Sequence, residues 1–525
     1  MLEVHLPHLP LSLLLRPAGY CSVLAVILLL LVRQYLVRKV RSPLPPGPKT
    51  SWYGGAALPK AYPWRTYAEW QRLYGDIIYI HAVGNPILVL NSRKAIYDLL
   101  ETRSAIYSSR PRRTMTRELM GWDWLFSSMP YGSAWRKRRA LFQKYFHPRA
   151  SPRYEPVQIK EAHTLLRNLA DSPDKFSHHI RRSAAAVVMM VSYGHQVAQE
   201  GDYFVTIADH ALTGLALAGN FGTYLVDYIP ILKYVPAWMP GAGFRRQADV
   251  WRKSTHAMVE KPFELVQQQL ASGTARPSLA SEELEEWTRS GQDPEQAVLI
   301  KDVAAISYAA GADTTVSAIL SFFLAMSLYP DVQRRVQEQL DKVTGSQRLP
   351  LFSDRSALPI IDCVVSECLR WNPVTPLSLP HFTVEDDVYE GYWVPKGTTV
   401  LPNVWKLLHD PAMYPDPMTF NPDRFADSKT NVELGINEEP LAAFGFGRRI
   451  CPGRYLAMDT IWITIVSVLS VYNISKPLDK DGVAIEPDIE PTSSFLSRPK
   501  PFQCWVTPRS KAALSLIKES EDEQP

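Results

Sequence analysis

Residues 444–453, which read FGFGRRICPG, constrain the fold of this chain more than any other segment. Gly445 and Gly447 permit a backbone turn that other residues resist. Cys451 stands just before a Pro-Gly pair, and a helical run over residues 455–472 follows. The pattern therefore predicts a cysteine next to a helix N-terminus, where backbone N–H groups and the helix dipole favour a thiolate. The alternative is a buried, inert cysteine beside a glycine turn.

Most of the remaining chain has helical spacing, and strands are few. A hairpin is predicted over residues 76–80 and 86–90, and residues 391–400 return to strand and turn character. Residues 271–294 are polar and contain glycine, which predicts a surface loop. We therefore predict a mainly α body with small β portions. The long helical segments are 92–101, 131–145, 177–191, 294–329, 330–343 and 359–371.

Composition excludes several classes of protein. The chain has 525 residues, of which 46% are apolar and 21% charged, so it is not mainly disordered. Its 57 basic and 53 acidic residues nearly balance, which argues against nucleic acid as a partner. Five sparse cysteines exclude a disulfide framework or a zinc ribbon and fit a reducing compartment. They are Cys21, Cys363, Cys368, Cys451 and Cys504.

The N-terminus has the pattern of a membrane anchor. Residues 18–32 carry no charge, and the longer apolar span 11–32 measures roughly 33 Å as a helix. Basic residues follow at Arg33, Arg38 and Lys39, so the rest of the chain is expected in the cytosol. A cleaved signal peptide is the alternative, but the small residues of a cleavage site do not follow. We predict an anchor with a basic flank over 1–42, a proline-rich hinge over 43–50 and a body over 51–525.

The predicted core helix contains the sequence AGADTT at residues 310–315. Glycine inside a helix costs about 1 kcal/mol relative to alanine, so Gly311 is predicted to leave room for a small ligand. Asp313 and Thr314 place an acid beside an alcohol, a pair that can relay protons. The alternative is a Thr314 hydroxyl bonded back to its own helix, with Asp313 in a buried ion pair.

Two charged patterns are ambiguous on their own. Glu367 and Arg370 are three residues apart on one helix face and can pair, most commonly as a solvated salt bridge. Trp135 and Arg139 also share a helix face, with the basic run 136–138 between them. Such a run usually marks a solvated surface, where an acidic partner can dock.

Together these motifs resemble those of the cytochrome P450 family. Its haem-binding loop, F-x-x-G-x-R-x-C-x-G, is matched at Phe444, Gly447, Arg449, Cys451 and Gly453. The resemblance implies the cytochrome P450 fold, a haem cofactor and Cys451 as the axial thiolate of the iron. It further implies that Arg449 contacts a haem propionate and that Phe444 packs near the sulfur.

The same resemblance implies roles for the other motifs. Haem-propionate contacts are implied for Trp135, Arg139 and His381, although His381 alone also fits a satisfied core histidine. Oxygen activation and proton delivery are implied for Gly311, Asp313 and Thr314. A buried structural triad that holds the haem loop is implied for Glu367, Arg370 and Arg424.

Three segments are expected around the substrate by resemblance: 115–129, 374–379 and 494–496. Residues 220–244 are aromatic and apolar with three prolines. They predict an access-channel lid that lies against the membrane, with plain core as the alternative. The predicted substrate is therefore a lipophilic small molecule that partitions from the bilayer.

The resemblance implies a monooxygenase that uses dioxygen. No G-x-G-x-x-G follows a strand, so neither a flavin nor an NAD(P) site is predicted in this chain. Electrons are expected from a membrane-bound NADPH-cytochrome P450 reductase, with cytochrome b5 as a second donor. The sequence is similar to the microsomal fungal branch that serves secondary metabolism. Its members imply terpenoid or polyketide substrates and an endoplasmic reticulum membrane location, with a cytosolic catalytic domain.

Two alternative functions remain open at this stage. A reductase-independent haem-thiolate isomerase or dehydratase commonly lacks the acid–alcohol pair, so Asp313 and Thr314 argue against it. A non-catalytic, membrane-tethered haem-binding protein needs an output domain, for which the segment after Cys451 is too short.

Overall fold

The computed structural model describes residues 42–49, 55–56, 58–219, 222–426 and 439–520. The predicted anchor over residues 11–32 lies outside these described residues. The chain contacts divide into two units. One consists of the described residues 42–45 with Glu385–Lys396, and the other of Pro46–Val384 and Gly397–Pro525.

Helices make up most of the described chain, as predicted. Many of them begin with proline in the first turn, where its missing N–H costs no helical hydrogen bond. They are α1 Pro63–Tyr74, α2 Arg93–Ile96, α3 Ser104–Tyr107, α4 Ser133–Phe146, α5 Glu155–Asp171, α6 Phe176–Tyr193, α7 Tyr203–Ala218, α8 Leu225–Tyr228, α9 Gly243–Ala271, α10 Leu279–Arg289, α11 Pro294–Leu328, α12 Pro330–Thr344, α13 Pro359–Trp371, α14 Val404–Leu408, α15 Arg454–Val471 and α16 Lys511–Glu519.

The strands are short: β1 Ile77–Ala82, β2 Asn85–Leu90, β3 His381–Phe382, β4 Asp387–Tyr389, β5 Tyr392–Val394, β6 Thr399–Pro402, β7 Tyr472–Ser475 and β8 Trp505–Pro508. A four-stranded sheet has the order β1-β2-β6-β3, and its antiparallel β1–β2 pair confirms the predicted hairpin. In the smaller unit, β4 and β5 pair as an antiparallel hairpin. Strands β7 and β8 pair near the C-terminus of the larger unit.

Helix α11 crosses the core of the larger unit. Its apolar window is 78% buried, and that of α15 is 67% buried, as expected for core helices rather than membrane spans. Phe323 of α11 stacks on Phe176 of α6 with 5.6 Å between the ring centroids. Two hydrophobic clusters adjoin along α11, the first up to Ala312 and the second from Val316. The break between them falls at the acid–alcohol pair.

The predicted surface loop over residues 271–294 is wrong in its middle, where α10 forms. Ser278 and Ser281 cap each other: Ser281 N–H donates to Ser278 Oγ at 3.2 Å and Ser278 N–H to Ser281 Oγ at 2.9 Å. Leu279 and Leu284 are buried against the first cluster. The helix is short and mostly polar, and its few apolar residues stabilise it only when they pack against the rest of the fold.

Candidate active site

The loop around Cys451 depends on two glycines with positive φ. Gly445 has φ 83° and Gly447 has φ 55°, in the region that residues with a Cβ rarely adopt. A Cβ on Gly447 would also lie 2.1 Å from the carbonyl oxygen of Leu100. The loop closes on itself because the Cys451 N–H donates to the Phe444 carbonyl at 2.8 Å. These contacts fix the cysteine two residues before Gly453, which caps α15.

The electrostatics of Cys451 differ from the sequence-based expectation. Burial raises the pKa of the Cys451 thiol above its ordinary value. The Gly453 N–H and the charges of Arg139 and Arg454 act in the opposite direction but do not outweigh it. The helix terminus alone therefore does not provide a thiolate, and a bound metal cation would have to stabilise one.

Cys451 lies in the wall of a cavity of about 340 Å³. The same wall contains residues of the core helix α11, among them Ala310, Gly311 and Thr314. The three segments expected around a substrate also contribute to it, with Trp122, Leu125, Phe126, Val374, Leu379, Phe495 and Leu496. Most of the cavity surface is consequently apolar or aromatic.

Five basic side chains lie in this wall: Arg110, Arg113, Arg139, His381 and Arg449. Among the described residues that line the cavity, none is an aspartate or a glutamate. Buried cations normally have an anionic partner. Arg113 has Asp227 nearby, so the other three arginines make the cavity suited to a ligand that carries negative charge.

Arg449 is buried and is held by backbone carbonyls. Its Nε donates to Ser108 O and its Nη2 to Met129 O, both at 2.7 Å. Its guanidinium stacks over the Trp135 ring, 4.4 Å from the centroid. Burial, with the Arg139 charge nearby, lowers the pKa of Arg449 to about 9. Arg139 itself donates from Nη1 to the carbonyl of Ile450 at 2.7 Å.

Arg110 is a residue that sequence reasoning missed. Its Nη1 donates to the carbonyls of Leu379 and Pro380 at 2.8 and 2.9 Å, and its Nε to Ser127 O at 2.9 Å. Burial and the neighbouring Arg449 cation lower the pKa of Arg110 well below its ordinary value. No spacing motif marks this position, because the fold alone brings residue 110 beside residue 449.

His381 is bonded as a core histidine and also lies in the cavity wall, while its predicted contact with a haem propionate stays a prediction. It is 1% exposed, and its Nδ1–H donates to the Tyr107 carbonyl at 2.9 Å, as in a core histidine. Its ring also lines the cavity. Burial, together with the Arg110 cation, lowers the pKa of His381 well below its ordinary value, so the ring is neutral at pH 7.

The acid and the alcohol of α11 make the contacts that the sequence offered as the alternative. Thr314 Oγ1 donates to the Ala310 carbonyl at 2.7 Å, yet the side chain still lines the cavity. Asp313 pairs with Arg181 at 2.6 Å and lies 4.0 Å from Arg498. Asp313 does not line the cavity wall, so it can act there only through a neighbour or water.

Gly311 has a packing reason that the sequence did not reveal. A Cβ at this position would lie 2.7 Å from Cγ2 of Val188 on helix α6. The close approach of α11 to α6 therefore requires glycine, whether or not a ligand occupies the cavity.

Glu367, Arg370 and Arg424 meet as the resemblance implied. Arg370 Nε and Nη2 donate to the two Glu367 oxygens at 2.6 and 2.9 Å, and both side chains are fully buried. Arg424 Nε lies 3.5 Å from Glu367 Oε1. The Asn421 N–H donates to Glu367 at 2.7 Å, and Arg370 Nη1 to Pro417 O at 2.8 Å. The three side chains thus tie α13 to the irregular segment before the haem-loop sequence.

These residues fit a haem. A cysteine in the wall offers an iron ligand, and Arg110, Arg139 and Arg449 suit two propionate carboxylates. The apolar remainder suits a porphyrin ring. Fold and cavity together define a class: mainly helical proteins with a buried pocket for a large, apolar, anionic cofactor beside a cysteine.

Comparison with known proteins gives the family. The family model "Cytochrome P450" matches residues 45–506. Cytochrome P450 monooxygenase 98 of Postia placenta is 44% identical over 486 residues, which cover 91% of this chain and 93% of that protein. Cytochrome P450 monooxygenase COX2 of Coprinopsis cinerea is 41% identical, with 91% of each chain covered. Tryptamine 4-monooxygenase of Psilocybe cyanescens is 40% identical, with 91% of this chain and 95% of that protein covered.

The chain belongs to the cytochrome P450 family and is a haem monooxygenase. Family membership implies a haem whose iron is bound by a cysteine thiolate.

Proposed function

We propose that this chain is a membrane-anchored monooxygenase that uses Cys451 as its haem ligand. It oxidises a lipophilic small molecule with dioxygen and electrons from an NADPH-dependent reductase. The observation that carries the proposal is the cavity wall. Cys451, Thr314 and a group of basic residues share it, and no described lining residue is acidic.

Specific side chains would hold the cofactor. Arg110, Arg139 and Arg449 would bind the propionates, with the Trp135 ring supporting Arg449. Phe444 lines the cavity next to the cysteine loop and would shield the sulfur from water. When bound, a thiolate-ligated haem supplies redox chemistry with dioxygen and favours O–O bond cleavage.

Proton delivery is assigned to Thr314 and Asp313. The Thr314 hydroxyl lines the cavity; when it rotates away from Ala310 O, it can donate its proton inward while its oxygen accepts one from water. Asp313 is 11% exposed and is held by Arg181, which is 27% exposed, so this pair connects the helix with solvent. In this scheme Asp313 supplies a replacement proton to Thr314 through water and does not contact the substrate.

The substrate class follows from the cavity and from the lid, defined as residues 222–244. The cavity surface is mainly apolar, which favours a lipophilic substrate. The lid exposes large apolar side chains that a fully solvated surface would not favour: Leu225 (68%), Ile231 (71%), Tyr234 (74%) and Trp238 (78%). Contact with the bilayer that holds the N-terminal anchor would cover them. A fungal secondary metabolite of the terpenoid or polyketide class fits this route.

The reductase would dock near the cysteine loop. Arg136 and Arg448 are exposed and flank the Tyr131 ring at 5.8 and 5.4 Å. Arg138, by contrast, is paired with Asp302 at 2.6 Å and is excluded from this surface. An acidic flavoprotein in the endoplasmic reticulum membrane, such as NADPH-cytochrome P450 reductase, matches the exposed pair, as does cytochrome b5.

The test is product formation from a panel of terpenoids and polyketides under two conditions. The purified full-length chain is supplied either with reductase and NADPH or with organic hydroperoxide alone. We expect NADPH-dependent products that contain one oxygen atom from dioxygen. Rearranged hydroperoxide products, with none in the presence of reductase, would instead indicate an isomerase or dehydratase.

A further inference from the structure

Glu118 joins the cavity wall to the lid. It lies in the π-helical turn Thr114–Leu119, two residues after the wall residue Thr116. One carboxylate oxygen accepts from Arg112 Nε at 2.6 Å, and the other lies 2.6 Å from Lys233 Nζ in the lid. The Arg112 hydrogen bond, with Lys233, lowers the pKa of Glu118 to about 2, so the residue is ionised at neutral pH.

Asp227 of the lid makes a second connection, to the π-helical turn Thr114–Leu119 in the cavity wall. It lies in α8 and is 5% exposed. Its Oδ1 accepts from the Met115 N–H at 2.9 Å, inside the same π-helical turn. The Thr114 N–H and the Arg113 cation also act on this carboxyl, although burial still raises its pKa. Backbone donors and a cation of the segment that forms the cavity wall therefore hold the lid at this point.

We propose that Glu118 and Asp227 form a two-point latch that holds the lid on the cavity wall. The inference rests on the proposed function, in which a lipophilic substrate enters this cavity. Because the latched segment also carries Arg113 and Thr116 of the wall, opening the lid would reshape the cavity. The Glu118 point is 29% exposed and sensitive to salt, whereas the buried Asp227 point is screened much less.

The test measures how fast ligands of two sizes reach the haem. Stopped-flow absorbance follows the binding of clotrimazole, which is bulky, and of imidazole, which is small, to the full-length haem protein. We expect Glu118→Gln and Lys233→Gln each to raise the association and dissociation rates of clotrimazole roughly two- to fivefold. Imidazole rates should stay unchanged. The double variant should be no faster than either single variant, because both remove the same interaction.

Glu264→Gln is the matched control. It breaks an exposed ion pair of α9, in which Lys261 Nζ lies 2.7 Å from Glu264 Oε2. This pair is remote from the described lid contacts, so all rates should stay unchanged. In the unmodified protein, clotrimazole rates should rise as NaCl is increased from about 0.05 to about 0.5 M, and Glu118→Gln should abolish that rise. Unchanged clotrimazole rates in both latch variants, or equal changes for imidazole, would overturn the latch.

Hydrogen exchange tests the Asp227 point without a variant that could misfold. Peptides that cover residues 112–119 and 225–234 should exchange with the same opening rate, and Glu118→Gln should accelerate both. Independent exchange of the two segments would contradict the latch. A protein that binds no haem would instead refute the proposed function, since neither azole would then give a spectral change.

Discussion

At the scale of the residue, Thr314 combines a structural contact with a place in the cavity wall. Its hydroxyl donates to Ala310 O, a bond that many helical threonines make. The sequence could show the acid–alcohol pair but not that the acid is turned toward Arg181 and away from the cavity. The role of Thr314 is therefore separable from that of Asp313 by mutation.

We predict that Thr314→Ala keeps its fold and its haem but diverts electrons from product formation to hydrogen peroxide. Losing one neutral hydrogen bond costs only about 1 kcal/mol of stability, whereas losing the hydroxyl interrupts proton delivery. The measurement is hydrogen peroxide released per NADPH consumed, which should rise severalfold. Ser307→Ala is the control, because Ser307 also lines the cavity and donates to a helix carbonyl, Val303 O, at 2.7 Å. Equal coupling in the two variants would show that Thr314 is not a proton donor.

Some of the cationic residues of the cavity can be predicted from the sequence, and others cannot. Arg449 and Arg139 could be found because each has a fixed spacing from a neighbour in a motif. Arg110 could not, since its position beside Arg449 results from contacts with Leu379 and Pro380, almost 270 residues away. Likewise, the burial that raises the pKa of Cys451 is a property of the folded protein.

At the scale of the element, the haem loop keeps its shape through Gly447. Alanine at this position would have to adopt the left-handed backbone conformation, which is strained for a residue with a Cβ. Its Cβ would also clash with the Leu100 carbonyl oxygen. We predict that Gly447→Ala loses most of its haem, measured as the ratio of Soret to protein absorbance. Gly453→Ala is the matched control, because φ is −88° there and the nearest atom, in Phe142, is 3.8 Å away. Full haem content in Gly447→Ala would refute this account of the loop.

Helix α13 should depend strongly on Glu367. Glu367→Gln keeps the shape of the side chain but leaves Arg370 and Arg424 as buried cations without a full counter-charge. We predict a loss of about 3–5 kcal/mol of unfolding free energy, measured by urea denaturation. The control Asp423→Asn breaks a half-exposed pair with Arg335 and should cost no more than about 1 kcal/mol. Similar losses in the two variants would mean that burial of the triad contributes little.

Several long helices could be predicted from the sequence, but α5, α7 and α9 were not predicted, and neither was the short helix α10. The bounds of α11 to α13 follow from proline at each start, together with a long apolar run in α11 and an apolar period in α12 and α13. Helix α10 was missed because eleven residues with few apolar side chains form a helix only when Leu279 and Leu284 find a surface to cover. The π-helical turns at Tyr97–Thr102 and Thr114–Leu119 likewise have no sequence signature, yet the second carries the proposed latch.

At the scale of the whole molecule, the proposed topology places the catalytic domain in the cytosol. Asn473-Ile474-Ser475 is a glycosylation sequon, and Asn473 is exposed on β7. We predict that it carries no glycan in eukaryotic cells, because the basic flank keeps this part of the chain out of the lumen. The measurement is gel mobility before and after glycosidase treatment. A sequon introduced ahead of residue 11 should be glycosylated, and a glycan on Asn473 would reverse the orientation.

Cys451 is proposed to bind the haem iron as a thiolate, and one absorption spectrum distinguishes this ligand from others. The reduced, carbon monoxide-treated protein should show a strongly red-shifted Soret band, and Cys451→Ser should lose that shift. A band at the ordinary haem position in the unmodified protein would mean that Cys451 is protonated or displaced. Cys451 would then not be the thiolate ligand of the iron, and its proposed role would be refuted.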